Sequence, residues 1–316
     1  MTIAVLNECF LQKDHVARLR RLGKVTMYKS TLSEHDAVKR LQGIEVAAIH
    51  CSLLPISATI LQQTASLKYI SLASTGYDRV DIHAARSRNI IISNLPTYGT
   101  ESVAEFTFAL IFAVIRKVVV LDRLFRKTPF EINSIDKLTE SPYIGENLRG
   151  MTLGIIGLGR IGSRVAEIGK AIGMKVVAYD IVSKSMKGVQ MVSLNKLLQN
   201  SDIVSIHAPL TNETEGMIDE QALSLMKRSA ILINTARGKI VQTKVLAKSL
   251  RNNKIAGAGI DTVTELNSTN PLLTFKNVVL SPHTGWYTRE SFTNISCGVV
   301  ANIEAYVKSM PINVIT

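Results

Sequence analysis

The stretch Gly157-Leu158-Gly159-Arg160-Ile161-Gly162 decides the fold of this chain. It follows an apolar run, residues 152–156, that is typical of a buried strand, and it opens a helical pattern that continues through Ile172. Glycines at these three places allow a tight turn, close approach of the backbone to a pyrophosphate, and close packing of the helix. The start of the helix would offer N–H groups and a positive dipole end to phosphate oxygens.

A carboxylate, Asp180, ends the next predicted strand, residues 175–179. A carboxylate at this place can accept hydrogen bonds from the hydroxyls of an adenosine ribose. A glycine-rich turn alone is weak evidence, but strand, turn, helix and acid in this order predict a dinucleotide-binding site. Asp180 would repel a 2′-phosphate, so we expect NAD rather than NADP, although the nearby Lys184 moderates this preference.

Outward from this motif, short apolar runs alternate with helical patterns, such as residues 35–41 and 57–64. This alternation is typical of parallel sheets covered on both faces, and we expect two α/β units, each with its own sheet. The predicted strands are residues 3–6, 25–28, 46–49, 69–72 and 90–93 in the first unit, and 152–156, 175–179, 202–206, 230–233, 256–260 and 278–281 in the second.

Two longer helices complete the predicted organisation. Residues 102–121 resemble one long helix, in which Ser102 and Glu105 have the spacing of a capping box. This helix is apolar nearly all round, so we expect it to be buried between domains or subunits. A last helix, about residues 288–309, has no further strand after it and is expected to pack back on the first unit.

The composition excludes several classes of protein. Apolar residues make up 46% and charged residues 20%, which excludes disorder, fibrous repeats and a small disulfide scaffold. The net charge of +12 suits nucleic acid, an anionic membrane surface or small acidic ligands. The basic residues are scattered and no helix-turn-helix or zinc-finger pattern occurs, so we expect no nucleic-acid partner.

The cysteines indicate the compartment. Cys9, Cys51 and Cys297 form no C-x-x-C pair, which favours a reducing interior over a disulfide framework and argues against a structural zinc site or another metal site. The N-terminus lacks a signal-peptide pattern. The most apolar stretch, residues 106–115, is shorter than the about 20 residues that cross a bilayer. We therefore expect a cytoplasmic protein without a membrane partner.

Further motifs give the chain a family resemblance. Together with the glycine-rich turn, they make it resemble the D-isomer-specific 2-hydroxyacid dehydrogenases, with a glyoxylate/hydroxypyruvate reductase-like character. The matching motifs are Ser74-Thr75-Gly76-Tyr77-Asp78, Tyr98-Gly99-Thr100-Glu101-Ser102-Val103-Ala104-Glu105, His207-Ala208-Pro209-Leu210-Thr211, Asn234-Thr235-Ala236-Arg237-Gly238, Ala256-Gly257-Ala258-Gly259-Ile260-Asp261 and Ser281-Pro282-His283-Thr284-Gly285-Trp286.

The resemblance implies a particular domain organisation. Residues 1–98 and 287–316 would form a split, flavodoxin-like substrate domain, and residues 99–286 an inserted NAD-binding Rossmann domain, both with doubly wound parallel sheets. The active site would lie in the cleft between them. Members of the family are commonly homodimers built around the cofactor domain and its long helix, which would explain the apolar character of residues 102–121.

The resemblance also assigns the catalytic residues. Taken alone, a loop arginine is usually a solvated charge and a loop histidine usually satisfies a nearby carbonyl. Within the matching motifs, Arg237 would bind the substrate carboxylate and lean toward the neighbouring carbonyl, since a guanidinium forms bidentate pairs. His283 would transfer the proton, because an imidazole with its ordinary pKa of about 6.5 can both donate and accept a proton near neutral pH.

Glu265 is the expected partner of His283, in a motif that departs from the family. The family's glutamate usually stands before a proline and one residue further from the aspartate that corresponds to Asp261. Here the segment is shortened and the proline is missing. Counting back from His283 puts Glu265 in the usual place, which indicates a one-residue deletion. The alternative is a solvated loop glutamate.

Several other positions are carried over as binding residues. The backbone N–H groups of Thr75 and Gly76 would bind the substrate carboxylate. His207 is expected to be structural, and Trp286 remains a candidate for the substrate pocket, the core or an interface. The expected cofactor-binding residues are Gly157, Gly159, Arg160, Ile161, Gly162, Asp180, Ala208, Thr235, Ala236 and Asp261.

The expected substrate class depends on two segments that lack basic residues. Residues 50–57 and 71–74 contain no Lys or Arg, whereas the family's phosphoglycerate enzymes carry arginines in both places. A buried phosphate dianion must be paired, so we expect a small unphosphorylated 2-oxo acid such as glyoxylate, hydroxypyruvate or pyruvate, with D stereochemistry. An NAD-binding corepressor on the same fold is the main alternative, and a formate-type dehydrogenase is another.

Overall fold

A computed structural model describes residues 1–7, 9–51, 53–127, 143–182, 184–264 and 267–316 of the chain. It divides into two compact units, Met1–Gly99 with Tyr287–Thr316, and Thr100–Trp286. Among the described residues, none of the helices has the length and apolar character needed to span a membrane.

Twelve strands occur in the described residues. They are β1 (Thr2–Leu6), β2 (Lys24–Tyr28), β3 (Val46–Ile49), β4 (Tyr69–Leu72), β5 (Ile91–Ser93), β6 (Thr152–Ile156), β7 (Lys175–Tyr179), β8 (Gln190–Met191), β9 (Ile203–Ile206), β10 (Ile231–Asn234), β11 (Gly257–Ile260) and β12 (Val278–Leu280).

Eleven α-helices occur in the same ranges, and several begin at a side chain that accepts a hydrogen bond from the first turn, such as Ser33, Ser57 and Thr288. They are α1 (Lys13–Leu22), α2 (Glu34–Leu41), α3 (Ala58–Gln63), α4 (Ile82–Ser87), α5 (Thr100–Ile115), α6 (Val118–Lys127), α7 (Arg160–Ala171), α8 (Leu194–Asn200), α9 (Glu220–Leu225), α10 (Thr243–Arg251) and α11 (Arg289–Val307).

The first unit contains a five-stranded parallel sheet with the order β2-β1-β3-β4-β5. All residues of β3 and β4 are buried, because helices cover both faces. This is the flavodoxin-like order, in which the loops after the strands share one edge. The predicted fold class is confirmed for this unit.

The last helix, α11, packs on the first sheet, as its position after the final strand predicts. The hydroxyl of Tyr69 in β4 donates to the carbonyl of Asn302 in α11 at 3.1 Å. The Asn302 side chain is buried and donates to the Asn94 carbonyl at 3.0 Å. Arg18 of α1 forms a bidentate ion pair with Glu304, with Nη2 and Oε2 2.7 Å apart.

The second unit contains a seven-stranded parallel sheet with the order β12-β11-β10-β9-β6-β7-β8. The chain starts at β6, runs outward through β7 and β8, and then returns to pair β9 with the other side of β6. This is the Rossmann arrangement, and its topological switch point lies between β6 and β9. Strand β8 was not predicted, since two residues without an apolar run give no periodic pattern.

The prediction of one helix over residues 102–121 is wrong. The structure has two helices, α5 and α6, and Lys117 between them has a φ of 57°. This left-handed residue ends α5 in the way that a glycine often does. Ser102 lies buried inside α5 and does not cap it, because the helix already begins at Thr100.

The small residues of β11 let α5 approach the sheet. A Cβ atom built on Gly259 would lie 3.0 Å from Cβ of Leu110, and one on Gly257 would lie 3.0 Å from Cγ1 of Val114. Half of the residues of α5 are buried, and this burial accounts for the apolar composition of the helix.

Candidate active site

The turn between β6 and α7 depends on its glycines. Gly157 has a φ of 94°, and a Cβ atom there would lie 2.7 Å from the backbone nitrogen of Ala208. A Cβ atom on Gly162 would lie 2.0 Å from the carbonyl oxygen of Gly157. A larger residue at Gly162 would therefore push α7 away from the end of β6. A larger residue at Gly157 would push the turn away from the loop after β9.

Gly159 has a different surrounding, which fits a phosphate. It is the N-cap of α7, and a Cβ atom there would meet nothing within 4 Å. The N–H groups of Arg160 and Ile161 begin a helix of 12 residues, so helix geometry leaves them without intrahelical acceptors. Open space, N–H donors and the helix dipole at the switch point fit the pyrophosphate of a dinucleotide.

Asp180 follows β7 and holds the glycine turn. Its Oδ2 accepts from the Leu158 N–H at 2.8 Å and from Lys184 Nζ at 2.9 Å, and its Oδ1 accepts from the Val182 N–H at 2.9 Å. Burial alone would raise the pKa of this carboxyl group, but these hydrogen bonds and the Lys184 charge lower it below its ordinary value. Asp180 is therefore ionised at neutral pH.

Arg237 lies in the loop after β10, which the buried side chain of Asn234 shapes. Asn234 Oδ1 accepts from the Ala236 N–H at 3.0 Å, and Nδ2 donates to the Arg237 carbonyl at 2.9 Å. The guanidinium Nη1 of Arg237 donates to the Ala236 carbonyl at 2.9 Å. This role of Asn234 was not predicted from the sequence, although the residue belongs to the motif Asn234-Thr235-Ala236-Arg237-Gly238.

The Arg237 loop packs directly against the loop after β11. A Cβ atom on Gly238 would lie 2.8 Å from the Thr262 carbonyl oxygen and 2.9 Å from the Thr264 nitrogen. The segment that leads to Glu265 therefore runs beside Arg237. Glu265 itself lies outside the described residues.

The loop with His283 follows β12 and is fastened by Asp261. The Oδ1 atom of this buried carboxylate accepts hydrogen bonds from Ser281 Oγ at 2.7 Å and from the Thr284 N–H at 2.9 Å. Its Oδ2 atom accepts a hydrogen bond from the Gly285 N–H at 3.0 Å. The His283 N–H donates to the Asp261 carbonyl at 2.7 Å, and His283 has a φ of 58°. Asp261 thereby sets the path of the backbone on both sides of the histidine.

Two further predicted residues lie on neighbouring strand ends. The hydroxyls of Thr235 and Thr107 are 3.1 Å apart, which ties the end of β10 to α5. His207 Nε2 lies 2.8 Å from Ser205 Oγ, and burial lowers the pKa of His207 to about 3. His207 is thus neutral at physiological pH and cannot supply a proton there, in agreement with a structural role.

In the first unit, the predicted substrate-binding loop follows β4. Thr75 Oγ1 donates to the Leu95 carbonyl at 2.6 Å, and Asn94 Nδ2 donates to the Thr75 carbonyl at 2.8 Å. Below the loop, Cys51 Sγ lies 3.0 Å from Ser74 Oγ. Within the described ranges, the backbone N–H groups of Thr75 and Gly76 have no acceptor, so both are available to a ligand.

The loops of the second unit meet at one edge of its sheet. Because β12, β11 and β10 are neighbours in the sheet, the loops with His283, Asp261 and Arg237 lie side by side. The glycine turn after β6 lies at the same carboxyl edge. A cationic side chain and an imidazole thus share the edge that a dinucleotide would occupy.

Comparison with known proteins gives the family. The model of the NAD binding domain of the D-isomer specific 2-hydroxyacid dehydrogenases matches residues 108–285. A glyoxylate reductase of Aeropyrum pernix is 40% identical over 297 residues, which are 89% of this chain and 83% of that protein. The chain belongs to the D-isomer specific 2-hydroxyacid dehydrogenase family. The resemblance seen in the motifs is confirmed.

Two solved structures have a similar fold over the whole length or nearly so. An acyclic imino acid reductase in complex with NADPH and D-Arg is 34% identical, with a TM-score of 0.93 and 100% coverage of both chains. A D-lactate dehydrogenase from Aquifex aeolicus, complexed with NAD and lactic acid, is 31% identical with a TM-score of 0.81, covering 98% of this chain and 96% of that one. The first of these structures holds NADPH and the second holds NAD.

The bonds of Asp261 give a first testable prediction. In Asp261→Asn, the side-chain NH₂ group either faces the Gly285 N–H or replaces the oxygen that accepts from Ser281 and Thr284. The His283 loop then shifts, and we expect kcat to fall about 10- to 100-fold, with a smaller rise in the NADH dissociation constant because Asp261 is also an expected cofactor-binding residue. Steady-state kinetics and calorimetric titration measure the two quantities.

A matched control is available in Asp202→Asn. Asp202 accepts from the Thr152 N–H and from Lys227 at the opposite edge of the same sheet, so its loss should lower stability and leave kcat unchanged. A rise in the NADH dissociation constant of Asp261→Asn, with kcat retained, would instead assign Asp261 to cofactor binding alone.

Proposed function

We propose that this protein reduces small unphosphorylated 2-oxo acids to D-2-hydroxy acids, with NADH as the preferred cofactor. The observation that carries the proposal is the common edge of the second sheet, where the loops with Arg237 and His283 lie next to each other and share that edge with the glycine turn. Substrates of the glyoxylate, hydroxypyruvate or pyruvate type suit the cation-free segments 50–57 and 71–74.

Arg237 is the proposed group for binding the substrate carboxylate. Its guanidinium is a planar fork of N–H donors beside the Ala236 carbonyl, to which it donates. A guanidinium of this kind can hold a carboxylate in a bidentate pair and lean toward the carbonyl oxygen that gains negative charge during reduction. The available N–H groups of Thr75 and Gly76 support their proposed role as further donors to the carboxylate.

His283 is the proposed acid. A bound nicotinamide dinucleotide supplies the hydride that reduces the C2 carbonyl. His283 donates a proton to the resulting alkoxide oxygen, and in the reverse direction it accepts the proton from the hydroxyl group. Asp261 orients the histidine through the backbone, and Glu265 is proposed to hydrogen-bond the imidazole and favour its protonated form.

The preference for NADH rests on Asp180. Its ionised carboxylate lies at the end of β7, where an adenosine ribose would bind, and it repels a 2′-phosphate. Gly157, Gly159 and Gly162 shape the turn for the pyrophosphate, and the N–H groups of Arg160 and Ile161 are its proposed donors. Ala208, Thr235 and Ala236 are proposed to line the nicotinamide side.

Reduction of an imino acid is a second candidate. The specific observation in its favour is the similarity to an acyclic imino acid reductase over 100% of both chains. Arg237 would again bind the carboxylate, and the hydride acceptor would be a C=N carbon instead of a carbonyl carbon. The two candidates differ in whether an amine is needed for turnover.

A panel of substrates tests the proposal. NADH oxidation is followed with glyoxylate, hydroxypyruvate, pyruvate and 3-phosphohydroxypyruvate, each with and without ammonium or methylamine. We expect turnover without amine on at least one unphosphorylated acid. The activity on the phosphorylated acid should be at least about tenfold lower. Turnover that requires the amine would support the imino acid candidate, and no turnover would leave a binding protein on this fold.

Replacement of His283 tests its role as the acid. We expect His283→Ala to lower kcat by about 10²- to 10⁴-fold, the usual contribution of general acid catalysis, while NADH binds nearly unchanged. His83→Ala, in which an exposed histidine of α4 is lost, should keep full activity. If His283→Ala retains more than about a tenth of the activity, the assignment is wrong.

We also propose that the protein is a homodimer that buries α6. A reducing, cytoplasmic compartment is proposed as well, because Cys9, Cys51 and Cys297 form no disulfide. Every residue of α6 is at least partly exposed, and Val118 and Phe125 are each 53% exposed. Apolar side chains at this exposure fit a subunit interface.

Light scattering tests the dimer. Val118→Asp should convert a particle of about twice the chain mass into one of about the chain mass, because a carboxylate is costly to bury. Leu273→Asp, which replaces an apolar residue 57% exposed outside α6, should leave the mass unchanged. A monomeric wild-type protein would contradict the proposal.

A further inference from the structure

An exposed thiol and a buried imidazole meet between α1 and α11 of the first unit. Cys297 of α11 is exposed, whereas His15 of α1 is only 6% exposed. The Cys297 Sγ atom lies 3.5 Å from His15 Nε2, within hydrogen-bond range for sulfur. A base at hydrogen-bond distance can activate a cysteine as a nucleophile. The two side chains therefore form a nucleophile–base pair, and neither belongs to the loops proposed to bind the cofactor and the substrate.

A third side chain orients the imidazole. His15 Nδ1 lies 2.7 Å from Ser296 Oγ, which also accepts a hydrogen bond from the Gln12 N–H at 3.0 Å. A hydroxyl oxygen has two lone pairs, so Ser296 can accept from the Nδ1–H group as well. With the ring proton on Nδ1, the lone pair of Nε2 faces the Cys297 sulfur and can take the thiol proton. Nucleophile, base and orienting group thus stand in the order that activates a cysteine.

Charged groups near the pair favour transfer of this proton. Asp14 Oδ2 lies 3.9 Å from His15 Nε2, where a carboxylate stabilises the imidazolium that forms. Arg18 forms a bidentate ion pair with Glu304, and this hydrogen bonding raises the pKa of the guanidinium. The charge of a Cys297 thiolate raises the pKa of Arg18 further, so the guanidinium in turn stabilises the thiolate. Glu304 offsets part of this attraction.

The other two cysteines of the chain have different surroundings. Cys9 is 1% exposed, and burial raises the pKa of its thiol to about 12, with a smaller contribution from Cys51. Cys51 is 3% exposed, and its Sγ atom lies 3.0 Å from Ser74 Oγ. Buried thiols are inert toward reagents in solution. Among the three thiols, only that of Cys297 is therefore both accessible and placed beside a base.

We propose that Cys297 is a modification site that forms mixed disulfides with low-molecular-weight disulfides, with His15 as its base. The Cys297 sulfur attacks one sulfur of the disulfide while His15 Nε2 takes the thiol proton. A new S–S bond forms, the original S–S bond breaks, and its electron pair leaves with the second sulfur. His15 then passes the proton to this leaving thiolate. Cys297 is oxidised, and half of the small disulfide is reduced to a thiol. The inference goes beyond the proposed function and does not depend on it.

Hydroxyethyl disulfide tests the proposal, because it is small and uncharged. The native full-length protein is incubated with an excess of it at neutral pH, and quenched samples are analysed by mass spectrometry and peptide mapping. We expect one added group per chain, on Cys297, and none on Cys9 or Cys51. The rate constant should be at least about fivefold above that of N-acetylcysteinamide, since an ordinary thiol is only a few per cent ionised near neutral pH.

Substitution of His15 tests its role as the base. His15→Gln keeps a polar side chain between the helices but cannot carry the proton. We expect its rate constant to fall at least about fivefold, to about that of N-acetylcysteinamide. The matched control is His35→Gln, which changes an exposed histidine of α2 and should react like the wild-type protein.

Three results would overturn the proposal. Cys297 of the wild-type protein could react no faster than N-acetylcysteinamide, a buried cysteine could react first, or the rate constants of His15→Gln and His35→Gln could be equal. Circular dichroism shows whether both variants are folded. If His15→Gln is unfolded, the comparison of the wild-type protein with N-acetylcysteinamide decides alone.

Discussion

The candidate site depends on the hydrogen bonds that the Asp261 carboxylate accepts. Asp261 is 2% exposed and accepts hydrogen bonds from a hydroxyl and two backbone N–H groups of the following loop. These bonds satisfy both oxygens of the buried side chain, and they hold His283 at a φ of 58°, which few non-glycine residues adopt. A histidine in a loop is thereby given the fixed position that proton transfer needs.

Close backbone approach plays the same part for the other functional loops. Gly157 lies against the loop after β9, Gly238 against the loop after β11, and Gly259 against α5. At each place a single Cβ atom would separate two segments that must touch. Small residues thus bring the strand ends of the second sheet close together, and the parallel topology puts their loops at one edge.

Much of this organisation could be predicted from the amino-acid sequence. Buried parallel strands are continuous apolar runs, so eleven strands were identifiable, and Gly157, Gly159 and Gly162 marked the switch point. The break at Lys117 could not be predicted, because a left-handed lysine has no signature comparable to glycine. Nor could the three side-chain hydrogen bonds of Asp261, since they join the loops that follow two different strands. The direction of the Asp180 oxygens likewise depends on contacts with the glycine turn, which local sequence does not specify.

The central claim is that these loops reduce a 2-oxo acid by direct hydride transfer and do not merely bind a dinucleotide. Its most direct test is isotopic. NADH carrying deuterium at the transferred position of C4 is incubated with the wild-type protein and glyoxylate, hydroxypyruvate or pyruvate, and the product is analysed by mass spectrometry. The account predicts a hydroxy acid with one deuterium on C2. Product without deuterium, or bound cofactor that reduces none of these acids, would contradict it.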